Sequence, residues 1–589
     1  MKEQILIEFQ NKKEPKLQYI YDKNKMKKVN LIKLLVSQST KLEIFFLILG
    51  ILGGVVNGIT LQFLEYYTGK LITYFSSDNS TDVMYQHLKD ILTSYIIASI
   101  ISFFFGFLLM AFSSLFQKRV SKKYKEKYFK MLLSMDMEWF DKFDKSIFEI
   151  NNQVLLELES IEKGIGNSIV LIINRISLFI FGYIFCLFIC WQFTLILLCF
   201  FPISLAIQLI IGFYAQKHSK KQTEISEEIG GYIEEKLYKI KTVASFANYD
   251  YEINNFNEKL NIFLINSKKK SIVNGLLESS QTLIMGLLMS LSFISGGYLI
   301  YKQTMVNDIL ITSGDIYAIL EIIMISNAEI QNISQHVKLI AKALEASKSF
   351  FNLSDYYEQK IKEKKIGLFD NFNLNEIEGK IEFKNIYFSY PKKEDLDILE
   401  NFNLILKPKE TTAIIGETGC GKSTIKNLLE RLYNYKNGNI ILDDKYNINE
   451  IDINIYKQLF GCVSQEPILF NDTIKNNILL GRKAKNEEII EASKNANIIH
   501  FINGLKDKFG YICGVKGKKL SGGQKQRIAI SRAILLKPKI LIFDEATSAL
   551  DINNENIFKN ILDSFKGKYT ILIISHKLNV IKMQIQLYY

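Results

Sequence analysis

Residues 91–117 run for 27 positions without a charged side chain. A helix needs about 20 such residues to cross a bilayer, and few soluble folds can bury a run this long. The stretch is one of six apolar segments within residues 42–340. The first is 42–69, around "IFFLILGILGGVVNGITLQFL". Residues 165–216 are broken only by Arg175, which is too long for one span and predicts two, with a tight turn near Trp191–Gln192. The fifth is 271–301. The sixth starts near Gly314, where Glu321 and Glu329 lower its hydropathy. The expected fold of residues 42–344 is an α-helical polytopic membrane domain with six transmembrane helices.

Charge predicts the orientation. Residues 1–41, 118–164 and 215–270 each hold ten Lys or Arg, whereas the intervening loops hold only Lys70, Lys89 and Lys302. The positive-inside rule places the N-terminus and the two long loops in the cytoplasm. Those loops lack turn punctuation and read as helices projecting past the bilayer. Loop 70–90 then faces away from the cytoplasm, and its "NST" makes Asn79 a glycosylation candidate. Residues 1–41 show no signal-peptide core, and "NLIKLLVSQSTKLE" (30–43) has the spacing of an interfacial helix. The net charge of +12 is spread through the first half rather than gathered on one surface, so nucleic acid is not an expected partner. The six cysteines have no metal-site or disulfide spacing and read as buried thiols. Which membrane holds the chain is not encoded in any visible targeting signal.

Among the intramembrane charges, Arg175 and Glu278 lie near the inner ends of their spans, where a long side chain can snorkel. Glu321 lies deeper, and either faces a translocation cavity or pairs with another helix.

Residues 345–378, with "EQKIKEKK", read as a polar linker, and from Gly379 the pattern changes to short strands and helices, an α/β domain over 379–589. Its chemistry begins at "GETGCGKST", between the apolar strand "TTAIIG" and the helix "IKNLLERLY". That setting makes Gly416, Glu417, Thr418, Gly419, Cys420, Gly421, Lys422, Ser423 and Thr424 a phosphate-binding loop. Backbone N–H groups and a helix N-terminus face the phosphates. Lys422 pairs with the β- and γ-phosphates of ATP and Ser423 holds Mg²⁺. "ILIFDE" ends a buried strand on two acids: Asp544 fits the Mg²⁺ side, and Glu545 fits the base that polarises the attacking water. His576, in "LIISHK", ends a further strand and is placed to contact the γ-phosphate. A second glycine-rich element, "LSGGQKQR" (520–527), lies about a hundred residues after the first.

Together with "YFSYP", "VSQEPILFNDTIKNNI" and "SALD", these motifs resemble an ATP-binding-cassette exporter of the multidrug-resistance type, subfamily B and P-glycoprotein-like, from about residue 30 to 578. The resemblance implies one transmembrane domain and one ABC-type nucleotide-binding domain, an ATPase that exports a small amphipathic or lipid-like molecule. It implies adenine stacking for Tyr390, Mg²⁺ and water sensing for Gln465, and a subunit contact for Asp551. It also implies that Ser521, Gly522, Gly523 and Gln524 close over ATP held by a second cassette. Two N–H-rich surfaces at opposite ends of one domain share an anion only through another copy. The partner is then a second half, as a homodimer, a heterodimer or a further half of one polypeptide. "MEWFDKFD" (137–144) and "KIKTVASFANYD" (239–250) resemble the coupling segments, with Trp139, Phe140 and Val243 to Phe246 expected to dock beside Gln465.

Two departures stand out. Val515 occupies the place of a family Glu before "LSGGQ", which alters a loop implicated in cross-talk. The α/β domain reads as truncated at its C-terminus, which leaves sheet edge exposed. A non-transporting regulator gated by ATP remains the alternative function.

Overall fold

The computed structural model describes residues 29–75, 81–141, 147–306, 311–364, 372–417, 419–546, 552–575 and 586–588. The chain divides into two compact units. One comprises Lys27–Tyr128 and Asn152–Lys348, and the other includes Phe129–Asn151 and Ser349–Tyr589.

The helices are α1 (Leu31–Val36), α2 (Lys41–Phe75), α3 (Thr81–Leu133), α4 (Met137–Asp141), α5 (Ile147–Gly164), α6 (Asn167–Tyr238), α7 (Ile240–Ser245), α8 (Tyr249–Val306) and α9 (Ser313–Lys364). Among the described residues, four helical stretches are long and apolar enough to cross a membrane: Lys41–Phe75, Tyr85–Leu133, Ile150–Tyr238 and Tyr249–Lys302. The third is not one rod. Cys190 leaves the helical region, with φ −153° and ψ 98°. The rings of Phe179 and Phe201, each eleven residues from Cys190, lie 5.0 Å apart. Contact at equal distances from the break means the chain folds back on itself. The turn expected at Trp191–Gln192 therefore sits one residue earlier, and two arms replace the single stretch. Helix α9 does not reach the apolarity of the other four. It nevertheless buries Ile316, Ile319, Leu320, Ile322 and Ile323 in one cluster with Tyr183, Phe193 and Leu197 of α6.

Lipid supplies no hydrophobic drive between helices, so close packing of small residues holds them together. A Cβ on Gly53 would stand 2.8 Å from the Leu109 backbone nitrogen and 2.9 Å from the Phe105 carbonyl oxygen, so only glycine lets α2 approach α3 this closely. Polar groups pair inside the unit. Lys70 binds Asp315 at 3.1 Å, and Tyr183 donates to Asn327 at 3.0 Å. Arg175, read from the sequence as snorkelling, is instead partnered by Glu329. The expected interfacial helix is the short α1, whose buried Leu34 offers its carbonyl to Tyr124 on α3 at 2.6 Å. The linker expected over 345–378 begins as helix, because α9 runs on to Lys364.

The second unit contains strands β1 (Ile381–Phe388), β2 (Leu399–Leu406), β3 (Thr411–Ile414), β4 (Asn437–Leu442), β5 (Tyr446–Asn447), β6 (Phe460–Val463), β7 (Ile540–Asp544), β8 (Thr570–Ile574) and β9 (Gln586–Tyr588). An antiparallel sheet has the order β2-β1-β4-β5, and a parallel sheet has the order β6-β7-β8-β3-β9. Strands β7 and β8 are buried throughout, as a parallel sheet covered on both faces requires. Their alternation separates two cores. Ile540, Ile542 and Leu572 face one cluster; Leu541, Phe543, Ile571 and Ile573 face the other. The truncation expected from sequence does not leave β3 without a neighbour on that side. Residues 586–588 pair alongside it, with Ala413 opposite Leu587.

The remaining helices are α10 (Lys422–Leu429), α11 (Ile453–Tyr456), α12 (Ile474–Leu479), α13 (Asn486–Asn495), α14 (Ile499–Gly504), α15 (Gly522–Leu535) and α16 (Ile552–Phe565).

Candidate nucleotide site

Strand β3 delivers the glycine-rich loop to the N-terminus of α10. Gly419 and Gly421 have φ 91° and 94°, which L side chains rarely adopt. Lys422 is buried, and its ammonium donates to the carbonyls of Gly416 at 2.8 Å and Glu417 at 2.5 Å. The loop thus wraps its own cation. Ser423 is exposed on the first turn of α10, and Cys420 is exposed within the loop. Thr424 is buried, and its hydroxyl lies 3.1 Å from that of Tyr390. It therefore ties the loop to the Tyr390 platform. Thr418 lies outside the described residues, as do Asp551, His576 and Asn79.

The acids follow β7, which β8 separates from β3 in the sheet. Val463 on β6 pairs with Phe543 on β7, so Gln465 and the Asp544–Glu545 pair emerge at one carboxyl edge of the sheet. Glu545 has φ 49°, a left-handed conformation that costs about 1–2 kcal/mol outside glycine. Its N–H donates to the Ile574 carbonyl at 2.8 Å, which fixes that conformation to β8. Asp544 is buried and accepts from Lys426 at 3.0 Å. Burial would lower the Lys426 ammonium, but the bond to Asp544 holds it above its ordinary value.

The donors fit a nucleotide with Mg²⁺. A helix N-terminus, a loop of left-handed glycines and a buried lysine suit a polyphosphate. Among the described residues no cluster of three His, Cys, Asp or Glu could cage a metal unaided. One carboxylate, one hydroxyl and one amide suit Mg²⁺, which keeps waters and takes phosphate oxygens.

The second glycine-rich element starts α15. Ser521 and Gln524 form a reciprocal cap: the Gln524 N–H donates to the Ser521 hydroxyl at 3.3 Å, and the Ser521 N–H donates to the Gln524 side chain at 2.9 Å. Gly523 is buried, while a Cβ on Gly522 would meet nothing within 4 Å. Helix α10 packs its Ile425, Leu428 and Leu429 into one core, and α15 packs its Ile528, Ala529 and Ile530 into the other. The two helices therefore lie on opposite faces of one sheet.

The pattern of the ABC transporter transmembrane region matches residues 47–325, and that of the ABC transporter family matches residues 399–548. ABC transporter B family member 2 of Dictyostelium discoideum is 32% identical over 92% of this chain and 39% of its own length. ATP-binding cassette sub-family B member 5 of Mus musculus is 31% identical over 92% of this chain and 43% of its own. Multidrug resistance protein 1 of Entamoeba histolytica is 30% identical over 98% of this chain and 45% of its own. The chain belongs to the ABC transporters, subfamily B. It spans about two fifths of the length of these curated relatives. It is an integral membrane protein, with a helical transmembrane region followed by an ABC nucleotide-binding cassette.

Several residues that partner the site's surroundings were not visible in its motifs. Tyr433 accepts no motif role from sequence, yet its hydroxyl donates to Asp141 at the end of α4. Its ring lies 5.2 Å from that of Tyr390, edge to face. Burial and the Asp141 carboxylate push the Tyr433 phenol well above its ordinary range. Trp139 is 1% exposed, so α4 is anchored. Within residues 137–144, Asp141 is thus held at Tyr433, whose ring adjoins that of Tyr390. In the second segment, Phe246 is 79% exposed. The cysteines divide: Cys186, Cys190 and Cys513 are buried as expected, but Cys199 and Cys420 are exposed.

Asn477 is a hydrogen-bond hub for the loop that follows Gln465. It accepts from the Phe470 N–H at 2.8 Å and from Arg532 of α15 at 3.2 Å, and it donates to the Phe470 carbonyl at 3.0 Å. At 1% exposure it has no water to replace those bonds. Asn477→Ala is expected to destabilise the cassette by about 2–3 kcal/mol, as a lowered melting temperature, because it strands buried groups of the loop. A melting temperature equal to that of the unsubstituted protein would deny Asn477 this role.

Proposed function

We propose that the chain is one half of an ATP-driven exporter. The observation that carries this reading is the placement of the two glycine-rich helix N-termini on opposite faces of one sheet. Two such surfaces serve a single γ-phosphate only when a second cassette supplies one of them. ATP then joins two halves and hydrolysis by the Glu545 side releases them, so nucleotide affinity differs between two arrangements of the halves. Lys422 binds the β- and γ-phosphates, Ser423, Asp544 and Gln465 hold Mg²⁺, and Tyr390 supports the adenine. When bound, Mg²⁺ neutralises charge on the phosphates. His576 is assigned to the γ-phosphate and Asp551 to the contact between halves, from their motifs.

The six spans of this reading are α2, α3, the two arms of α6, α8 and α9. The N-terminus and cassette face the cytoplasm, in keeping with the lysine-rich loops. Motion passes through α4 by way of Asp141 and Tyr433. The segment Val243–Phe246, which exposes Phe246, finds its seat on the second half's cassette, where Ile468, Phe470, Ile512 and Val515 are exposed. Val515 supplies apolar surface there in place of a carboxylate. The cargo is a small amphipathic or lipid-like molecule.

Inside-out vesicles test the reading. ATP-dependent accumulation of at least one probe from a panel of amphipathic dyes and short-chain fluorescent lipids is expected. Asp141→Ala should cut that accumulation severalfold while ATP turnover stays within about twofold, since the substitution lies outside the nucleotide site. Equal loss of both would remove Asp141 from the coupling path. An ATP-gated conductance with no probe moved would favour the regulator instead.

A further inference from the structure

The carboxylate assigned to Mg²⁺ already has a cation. Lys426 lies one turn beyond Lys422 on α10, and its ammonium is 3.0 Å from Asp544 Oδ2. The two side chains are 13% and 12% exposed, so water screens the pair poorly. Cys462 of β6 and Glu430, at the end of α10, adjoin the same pair. None of the phosphate-loop chemistry requires this lysine. Ile425 and Leu429, on either side of it in α10, pack into the cassette core and fix the helix that carries the charge.

A buried carboxylate without a partner is costly, and Lys426 removes that cost. The same charge opposes any second cation at that oxygen. We propose that Lys426 is a positioning residue that weakens divalent-cation binding at Asp544, so that the metal is held firmly only together with nucleotide phosphates. This rests on reading Asp544 as the Mg²⁺-side acid. The lysine keeps Asp544 oriented toward the loop, and phosphate oxygens supply the extra negative charge that lets a divalent cation share the site.

The test uses Mn²⁺ as the probe, titrated by electron paramagnetic resonance against the full chain in lipid nanodiscs, first without nucleotide and then with a non-hydrolysable ATP analogue. Without nucleotide, Lys426→Met should tighten Mn²⁺ binding about tenfold, with a smaller change when the analogue is bound, whereas Lys426→Arg should keep the affinity of the unsubstituted protein. Melting temperatures measured alongside confirm that each variant is folded, and Lys426→Gln replaces the Met variant if that one is not. Unchanged or weaker Mn²⁺ binding in a folded neutral variant overturns the proposal. Asp544→Asn separates the two layers. It should weaken Mn²⁺ binding by about tenfold or more. No change there would remove Asp544 from the metal site, and the proposal would fall with it. Weakening there, without tightening in the neutral Lys426 variant, would overturn the lysine's role alone.

Discussion

Glu545→Gln is expected to stop steady ATP turnover, by at least about a hundredfold, while ATP binding persists. The carboxylate follows directly on Asp544 at the end of β7, with its N–H bonded to Ile574 of β8. Glutamine has nearly the same volume and the same tolerance of the left-handed backbone at φ 49°. The strand end, Asp544 and the phosphate loop should therefore stay in place, and only the basic oxygen is lost. Phosphate release measures turnover, and a fluorescent ATP analogue measures binding. The variant should also accumulate as ATP-bound pairs of halves, because the step that separates them is blocked. Sustained hydrolysis would take the base role away from Glu545. Loss of nucleotide binding would instead show that its side chain shapes the site.

Gly522→Asp is expected to abolish ATP-dependent pairing and lower turnover by at least about a hundredfold without unfolding the cassette. A Cβ at this position meets nothing within 4 Å, so an aspartate has room. A carboxylate on the first turn also favours the helix itself through the macrodipole, so the fold should be at least as stable. Its charge would stand where the γ-phosphate of the second cassette is expected, and two anions in one cradle repel. The substitution lies on the sheet face opposite α10, so nucleotide binding to the same chain's phosphate loop should hardly change. Analytical ultracentrifugation with ATP, in the Glu545→Gln background, reads the pairing. Pairing that survives would place the second glycine-rich element elsewhere than on a shared phosphate. Loss of ATP binding by the isolated chain would mean that the two elements are not independent.

Much of this protein is legible along the chain because its signals are local. An uncharged run of 27 residues has a length that matches a bilayer, and a glycine-rich turn between a strand and a helix has its phosphate chemistry in the backbone itself. Gly419 and Gly421 of the loop have a left-handed φ that glycine adopts at no steric cost. The strand ends carry the acids where the apolar runs stop, so Asp544 and Gln465 reach one edge of the sheet once β6 and β7 pair. The two-arm form of 165–216 also follows from length, although the hinge falls at Cys190 because the break depends on how the arms pack.

Other features join residues that no period or motif connects. Asp141 and Tyr433 are 292 positions apart, and Lys426 and Asp544 are 118 apart. Arg175 reads as a lone charge until Glu329 is brought to it. Asn477 looks like any polar residue in "DTIKNNI" until burial makes its amide a hub. Such pairs form because folding removes water and leaves each buried polar group to be satisfied by whatever the topology brings near. The sequence by itself determined the apolar runs, the glycine-rich loop between a strand and a helix, and the acids at a strand end, since each is a local match between residue type and backbone or bilayer geometry. The tertiary structure alone decided the two faces of the sheet on which α10 and α15 lie, the contact of Asp141 with Tyr433 and the pairing of Lys426 with Asp544, since each depends on long-range packing.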